Sequence, residues 1–380
     1  MLSALAIALT SAVLPVDSTT LRGKVIAGYQ AWFRVPKDGE KQGWVHWSRD
    51  PNVLSPETVT FEMWPQVDEY PSDAIVKAGP FKYANGKSAE LYAADHPGVV
   101  DVHFRWMKEY GVDGVFVQRF VSHLRSKDAS RAEAQVLKHV RNAAEKYGRI
   151  FAVEYDMSGV PPEESLRLMQ SDWAQLRDEL KLTESTRYLH QDGRPVLGIF
   201  GFFTDRMSGQ QANQIIDAFT SQKVSLVGAG QWWWRRETDA DWHRAFRRFA
   251  AYSPWDVGNT GSMSRWKDDF EETQRKGMLL LPVIYPGFSW DNLQRKEPGT
   301  FLISRRKGAF FQEQFKAAAD LKIGQAFIAM FDEVDEGTAI FKVEDEPPSQ
   351  GHFLGLEGLP SDAYLRMAGD GTKLIRDAGY

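Results

Sequence analysis

The 380-residue chain has no cysteine. Disulfides, thiolate nucleophiles and cysteine-ligated zinc are therefore excluded. Histidine is scarce, at eight residues, and none stands in an HExxH or similarly close ligand spacing. Basic charge is not in excess. The 46 Lys and Arg face 51 Asp and Glu, a net charge of −5, so the chain carries no electrostatic footprint for nucleic acid. No glycine-rich phosphate loop is present, because Gly228-x-Gly230 lacks both a third glycine and a following Lys-Ser/Thr. There is no GxSxG nucleophile elbow. Nothing is long and apolar enough to span a bilayer. No cofactor and no metal are expected.

Residues 1–16, MLSALAIALTSAVLPV, are uncharged. They resemble the apolar part of a signal peptide, with Thr10 and Ala12 as small residues near a cleavage point. The usual Lys or Arg ahead of that run is missing, which leaves a mis-assigned start or an ordinary buried segment as alternatives. Read as a leader, residues 1–18 place the protein outside the cytoplasm, secreted or periplasmic.

What is abundant is aromatic: 13 Trp, 12 Tyr and 23 Phe. Sugar clefts use such rings as flat apolar platforms, and large cores use them equally. Short, near-continuous apolar runs recur along the chain, as expected of parallel strands buried on both faces. They are Val25–Phe33, Val112–Phe120, Ile150–Asp156, Pro195–Phe203, Val224–Trp233, Trp255–Thr260, Leu279–Pro286 and Gln325–Phe331. Amphipathic helical patterns lie between them, among them Ser130–Tyr147, Glu163–Leu180, Gly209–Ser221, Asp239–Tyr252, Trp266–Lys276 and Lys307–Leu321. Eight strands alternating with helices predict an α/β fold of the (β/α)8 TIM-barrel type. Such a barrel needs about 250 residues, so the rest are βα-loop insertions, the clearest at 34–97. Residues 19–380 read as one domain, expected to act as a monomer.

Barrel enzymes place their chemistry at the C-terminal ends of strands. That rule nominates Tyr29 and Trp32 after the first strand, and Gln118 and Arg119 after the second. Glu154, Tyr155 and Asp156 follow the third, Trp232 and Trp233 the fifth, and Tyr285 and Trp290 the seventh. Arg119 could equally neutralise neighbouring acids, and the strand-end acids could cap helices. Adjacent rings on a strand face opposite sides, so at most two of Trp232, Trp233 and Trp234 share a face.

The densest chemistry follows the last strand: Phe331-Asp332-Glu333-Val334-Asp335-Glu336-Gly337-Thr338. Glycoside hydrolysis uses two carboxylates, an acid for the leaving oxygen and a base or nucleophile. On a helical turn Glu333 and Glu336 share a face, with Cβ atoms about 5–6 Å apart. On an extended strand they point apart. The pair is useful only if the chain turns after Phe331, and Gly337 permits a turn. Burial and mutual repulsion then keep one glutamate protonated beside an ionised partner. The alternative is a solvated acidic loop. Calcium at Asp332, Glu333 and Asp335 is disfavoured by the absence of an EF-hand pattern.

This motif resembles that of glycoside hydrolase family 99, the endo-α-mannosidases and endo-α-mannanases, and more loosely family 71. The family pattern runs aromatic-Asn-Glu-Trp-His-Glu-Gly-Thr, and Glu333, Glu336, Gly337 and Thr338 match it. Gly28-Tyr29-Gln30-Ala31-Trp32-Phe33 and Asp192-Gly193-Arg194-Pro195-Val196 are similar to further family segments. The resemblance implies a metal-free, retaining, endo-acting cleavage of α-linked manno-configured glycans. It implies Glu336 as general acid/base, and Glu333 as the residue assisting the sugar's own 2-hydroxyl through a 1,2-anhydro-sugar intermediate. Asp332, Val334 and Asp335 replace Asn, Trp and His of the family pattern, and the two added acids border the pair. The competing expectation is a carbohydrate-binding barrel without catalysis.

Overall fold

The computed structural model describes residues 14–37 and 43–379. The leader reading at 1–18 therefore falls largely outside the described residues, as does part of the 34–97 insertion. Val16 and Ser18 are held to the body: Val16 N donates to Gly148 O at 2.9 Å, and His190 N donates to Ser18 O at 2.7 Å.

The strands are β1 (Val25–Tyr29), β2 (Ile75–Lys82), β3 (Ser88–Tyr92), β4 (Gly114–Phe120), β5 (Ile150–Asp156) and β6 (His190–Gln191). They continue with β7 (Arg194–Phe202), β8 (Ser225–Gly230), β9 (Ala251–Pro254), β10 (Leu279–Leu280), β11 (Val283–Ile284) and β12 (Ala326–Ile328). The helices are α1 (Pro97–Tyr110), α2 (Lys127–Tyr147), α3 (Pro162–Ala174), α4 (Gly209–Thr220) and α5 (Ala240–Ala245). They are followed by α6 (Met263–Arg275), α7 (Asp291–Gln294), α8 (Ala309–Asp320) and α9 (Ala363–Gly379).

Nine parallel strands form one curled sheet in the order β10-β9-β8-β7-β5-β4-β1-β12-β11, with β6 added antiparallel to β7. β1, β5 and β8 are buried along their whole length, which explains why they read as unbroken apolar runs. β10 and β11 are separated only by Leu281 and Pro282, yet β10 bonds to β9 and β11 to β12. The two ends of the sheet order are thus neighbours in sequence.

Three expected strands are corrected. The first ends at Tyr29, because Ala31 turns into the left-handed region (φ 47°). The sixth is Ala251–Pro254 rather than Trp255–Thr260, and the helix before it stops at Ala245. The seventh is two short pieces around Pro282, whose missing N–H interrupts the ladder.

The insertion carries the β2–β3 hairpin and packs on the segment after β12. Glu62 N donates to Val334 O (2.8 Å), Gln66 N to Lys342 O (3.0 Å) and Glu344 N to Trp64 O (2.8 Å). Trp47, Trp64, Phe61 and Phe353 close this layer with ring centroids about 5 Å apart. Each fully buried large side chain contributes about 1.5–3 kcal/mol, so the layer is fixed to the end of the sheet where the acidic motif emerges.

Candidate active site

After Phe331 the chain leaves the sheet direction and turns through residues 334–337. Gly337 takes φ 62°, where a side chain would be strained. Thr338 N and Ala339 N both donate to Glu333 O, at 3.2 and 3.0 Å. Buried Arg305 donates to the carbonyls of Gly337 (2.8 Å) and Ala339 (2.7 Å). Ser289 N donates to Glu336 O at 3.0 Å. Hydrogen bonds to its carbonyls from three segments therefore fix the turn that the pair requires.

Glu333 and Glu336 both line a cavity of about 360 Å³, together with Gln30, Trp32, Gln118, Asp156 and Trp290. Phe200, Phe203 and Trp255 form an aromatic wall. In that wall Phe200 meets Phe203 edge-on at 5.4 Å and Trp255 at 5.0 Å. Arg206 lies over the Phe203 ring at 4.5 Å and donates to Ser158 Oγ at 3.3 Å.

The electrostatics follow from burial. Burial pushes Glu336 up to about 8, reinforced by the charges of Asp335 and Asp156. Burial, then Glu336 and Asp335, hold Glu333 well above the usual carboxylate range, opposed by hydrogen bonding from Gln30. The two titrate as a pair: once one ionises, the other keeps its proton. Gln30 favours the charge on Glu333, while Asp332 adds to the acids that oppose it.

Glu154 sits behind Gln118, whose amide donates to it, and burial pushes it up to about 8. Gly198, opposite Glu154 in the ladder, makes room for it. A Cβ there would come within 2.8 Å of Glu154 Cγ. Asp335 is buried beside the pair, and burial pushes it up to about 7. Its Oδ2 is 3.9 Å from Nδ1 of His46, whose ring stacks on Trp32 at 3.9 Å.

Of the expected substrate-binding residues, Trp32, Gln118, Asp156 and Trp290 line the cavity. Nine others do not: Glu154 and Asp335, placed above, and the seven that follow. Arg119 and Tyr155 alternate with Gln118 and Glu154, so they point to the helical side. There Arg119 Nε and the Tyr155 hydroxyl both donate to Asp172 of α3, each at 2.6 Å. Tyr29 is in the core, its hydroxyl 2.9 Å from Nδ1 of His103. Tyr285 packs edge-on against Phe310 of α8 at 5.1 Å. Asp332 accepts from the N–H groups of Gln30 and Ala31, both at 2.8 Å, and so pins the turn after β1 instead of lining the cavity. Trp232 and Trp233 lie on the turn after β8, outside the lining.

Sequence reasoning missed Phe200, Trp255, Ser158 and Arg206. Phe200 reaches the cavity by ordinary alternation: it lies opposite Asp156 and two residues beyond Gly198, which lies opposite Glu154. The bulge at Gly201 follows it. Glu62 was missed too. It is fully buried and accepts from Ser289 Oγ (2.8 Å) and Asn292 N (2.6 Å), and burial raises it to about 7.

Among the described residues no cluster of three or more His, Asp or Glu is arranged to hold a metal ion. No helix among them is long and apolar enough to cross a membrane. No protein-family model matches the chain, and no curated protein matches it by sequence. Solved structures do match in fold. A GH99 endo-α-mannosidase from Bacteroides thetaiotaomicron superposes with a TM-score of 0.71 at 16% identity, covering 94% of this chain and 99% of that one. A second structure of that description, in complex with bis-tris-propane, gives 0.69. A glycoside hydrolase-like protein gives 0.55 at 13% identity, covering 86% of this chain and 98% of that one. The chain shares the α/β fold of these proteins over nearly its whole length.

Proposed function

We propose that the protein is a retaining glycoside hydrolase acting on α-linked, manno-configured glycans, with Glu336 as general acid/base and Glu333 as base toward the sugar's 2-hydroxyl. The observation that carries this reading is the placement of both glutamates on one cavity, each raised by burial and by the other acids. A solvated acidic loop has neither property. Trp32 Nε1, Trp290 Nε1 and Gln30 Oε1 belong to lining residues and are buried without a protein partner. The curled sheet reads as a (β/α)8 barrel, since consecutive β10 and β11 bond to its opposite ends. Export of the protein rests on the leader-like residues 1–18.

The proposed reaction begins as Glu336 gives its proton to the glycosidic oxygen. Glu333 takes the proton of the 2-hydroxyl, whose oxygen attacks C1 as the bond to the leaving group breaks. A 1,2-anhydro sugar results. Water then opens it at C1, losing a proton to Glu336, while Glu333 returns its proton to O2. The two inversions sum to retention. A proton NMR time course on a cleaved α-mannoside tests this: the α-anomer is expected to accumulate first, and first appearance of the β-anomer overturns the mechanism.

A further inference from the structure

The turn after β8 carries three consecutive tryptophans that the proposed chemistry does not use. Trp234 is buried against Tyr252 at 5.3 Å. Trp233 is 40% exposed, the one tryptophan among the exposed large apolar side chains of the described residues.

Its surroundings hold it still. Trp232 meets Trp233 edge-on, with centroids 4.9 Å apart and planes at 85°. Arg265 of α6 lies over the Trp232 ring at 4.2 Å and is ion-paired with Asp256. Asp256 follows Trp255, a member of the aromatic cavity wall, and Trp255 N donates to Gly230 O at 2.7 Å. In the sheet β8 lies between β7 and β9. β7 supplies Phe200, and Trp255 directly follows β9. The Trp232–Trp233 turn therefore stands at the C-terminal lip between the two strand ends that build the wall. An exposed indole, braced edge-on by Trp232 at the lip between the strand ends that carry the wall, matches the C–H face of a pyranose ring.

We infer that Trp233 is a distal sugar-binding platform, which holds residues of an α-linked oligosaccharide that extend beyond the 360 Å³ cavity. This deepens the proposed function and rests on it. It makes the protein a chain-binding enzyme whose affinity grows with substrate length.

The test uses the full chain carrying Glu336→Gln, so that ligands survive. Isothermal titration compares α-linked manno-oligosaccharides of two and six residues, with Trp233 intact, Trp233→Ala or Trp233→Phe. Loss of the platform is expected to make Trp233→Ala weaken hexasaccharide binding about tenfold more than disaccharide binding, about 1.4 kcal/mol. Trp233→Phe is expected to recover most of the loss. Equal effects on both lengths, or none on either, overturn the platform. Length-dependent binding that ignores Trp233 overturns the platform alone, whereas absence of glycan binding in every variant overturns the function proposal and the platform with it.

Discussion

Glu154 offers a stability test that is independent of substrate. Its folded pKa is about 8 against an ordinary 4.5, with burial as the main cause. A carboxyl raised on folding contributes stability that is fully present below its unfolded pKa and lost as pH rises through the folded one. The shift is about 3.5 units, and at 1.36 kcal/mol per unit the full loss is about 5 kcal/mol. Roughly 4 kcal/mol of it falls between pH 5 and pH 9. Glu154→Gln keeps the shape and the acceptor for Gln118 but cannot ionise. Unfolding entropy for a chain of this length is about 0.8 kcal/mol/K, so the variant should gain about 5 °C on wild type at pH 9 relative to pH 5. Differential scanning fluorimetry across that range reads the difference directly. An offset between variant and wild type that is the same at both pH values would refute the claim that Glu154 is a buried, proton-holding carboxyl.

Other outcomes follow from the same geometry. Asp332→Ala strands the N–H groups of Gln30 and Ala31, and should cost on the order of 3 kcal/mol, seen as a Tm drop of about 4 °C. Because Gln30 lines the cavity, activity should fall beyond what the lost stability explains. Glu62→Ala removes the acceptor shared by Ser289 and Asn292, and should destabilise by about 1–3 kcal/mol by chemical denaturation, loosening the insertion from the motif turn. In a pH–rate profile, activity should decline as pH rises through about 8, where Glu336 loses its proton. Asp335→Asn removes a charge that raises Glu336 and should move that alkaline limb to lower pH. An unmoved limb would show that Asp335 does not act on the acid.

The fold was legible where strands are buried on both faces. Val25–Tyr29 and Ser225–Gly230 are unbroken buried runs, and Ile150–Asp156 becomes polar only at its end. It was least legible at β9, where four residues follow directly on an amphipathic pattern and propensity cannot find the boundary. Within the site, Glu333 and Glu336 were visible through their spacing and the turn-permitting Gly337. The division of Gln118, Glu154 and Asp156 from Arg119 and Tyr155 needed the register, since β4 and β5 align Gln118 with Glu154 and Arg119 with Tyr155. The role of Asp332 could not be read at all. It depends on a left-handed turn about 300 residues away in sequence, made by Ala31, a residue that seldom adopts one.

The most direct test of the central claim is hydrolysis of a panel of α-linked glycans, mannans first, by wild type beside Glu336→Gln. The account predicts cleavage by wild type and a loss of at least about a hundredfold in the variant, the scale of general acid catalysis. Equal cleavage by both proteins would contradict the assignment of Glu336, and binding without cleavage by either would make the protein a carbohydrate-binding barrel.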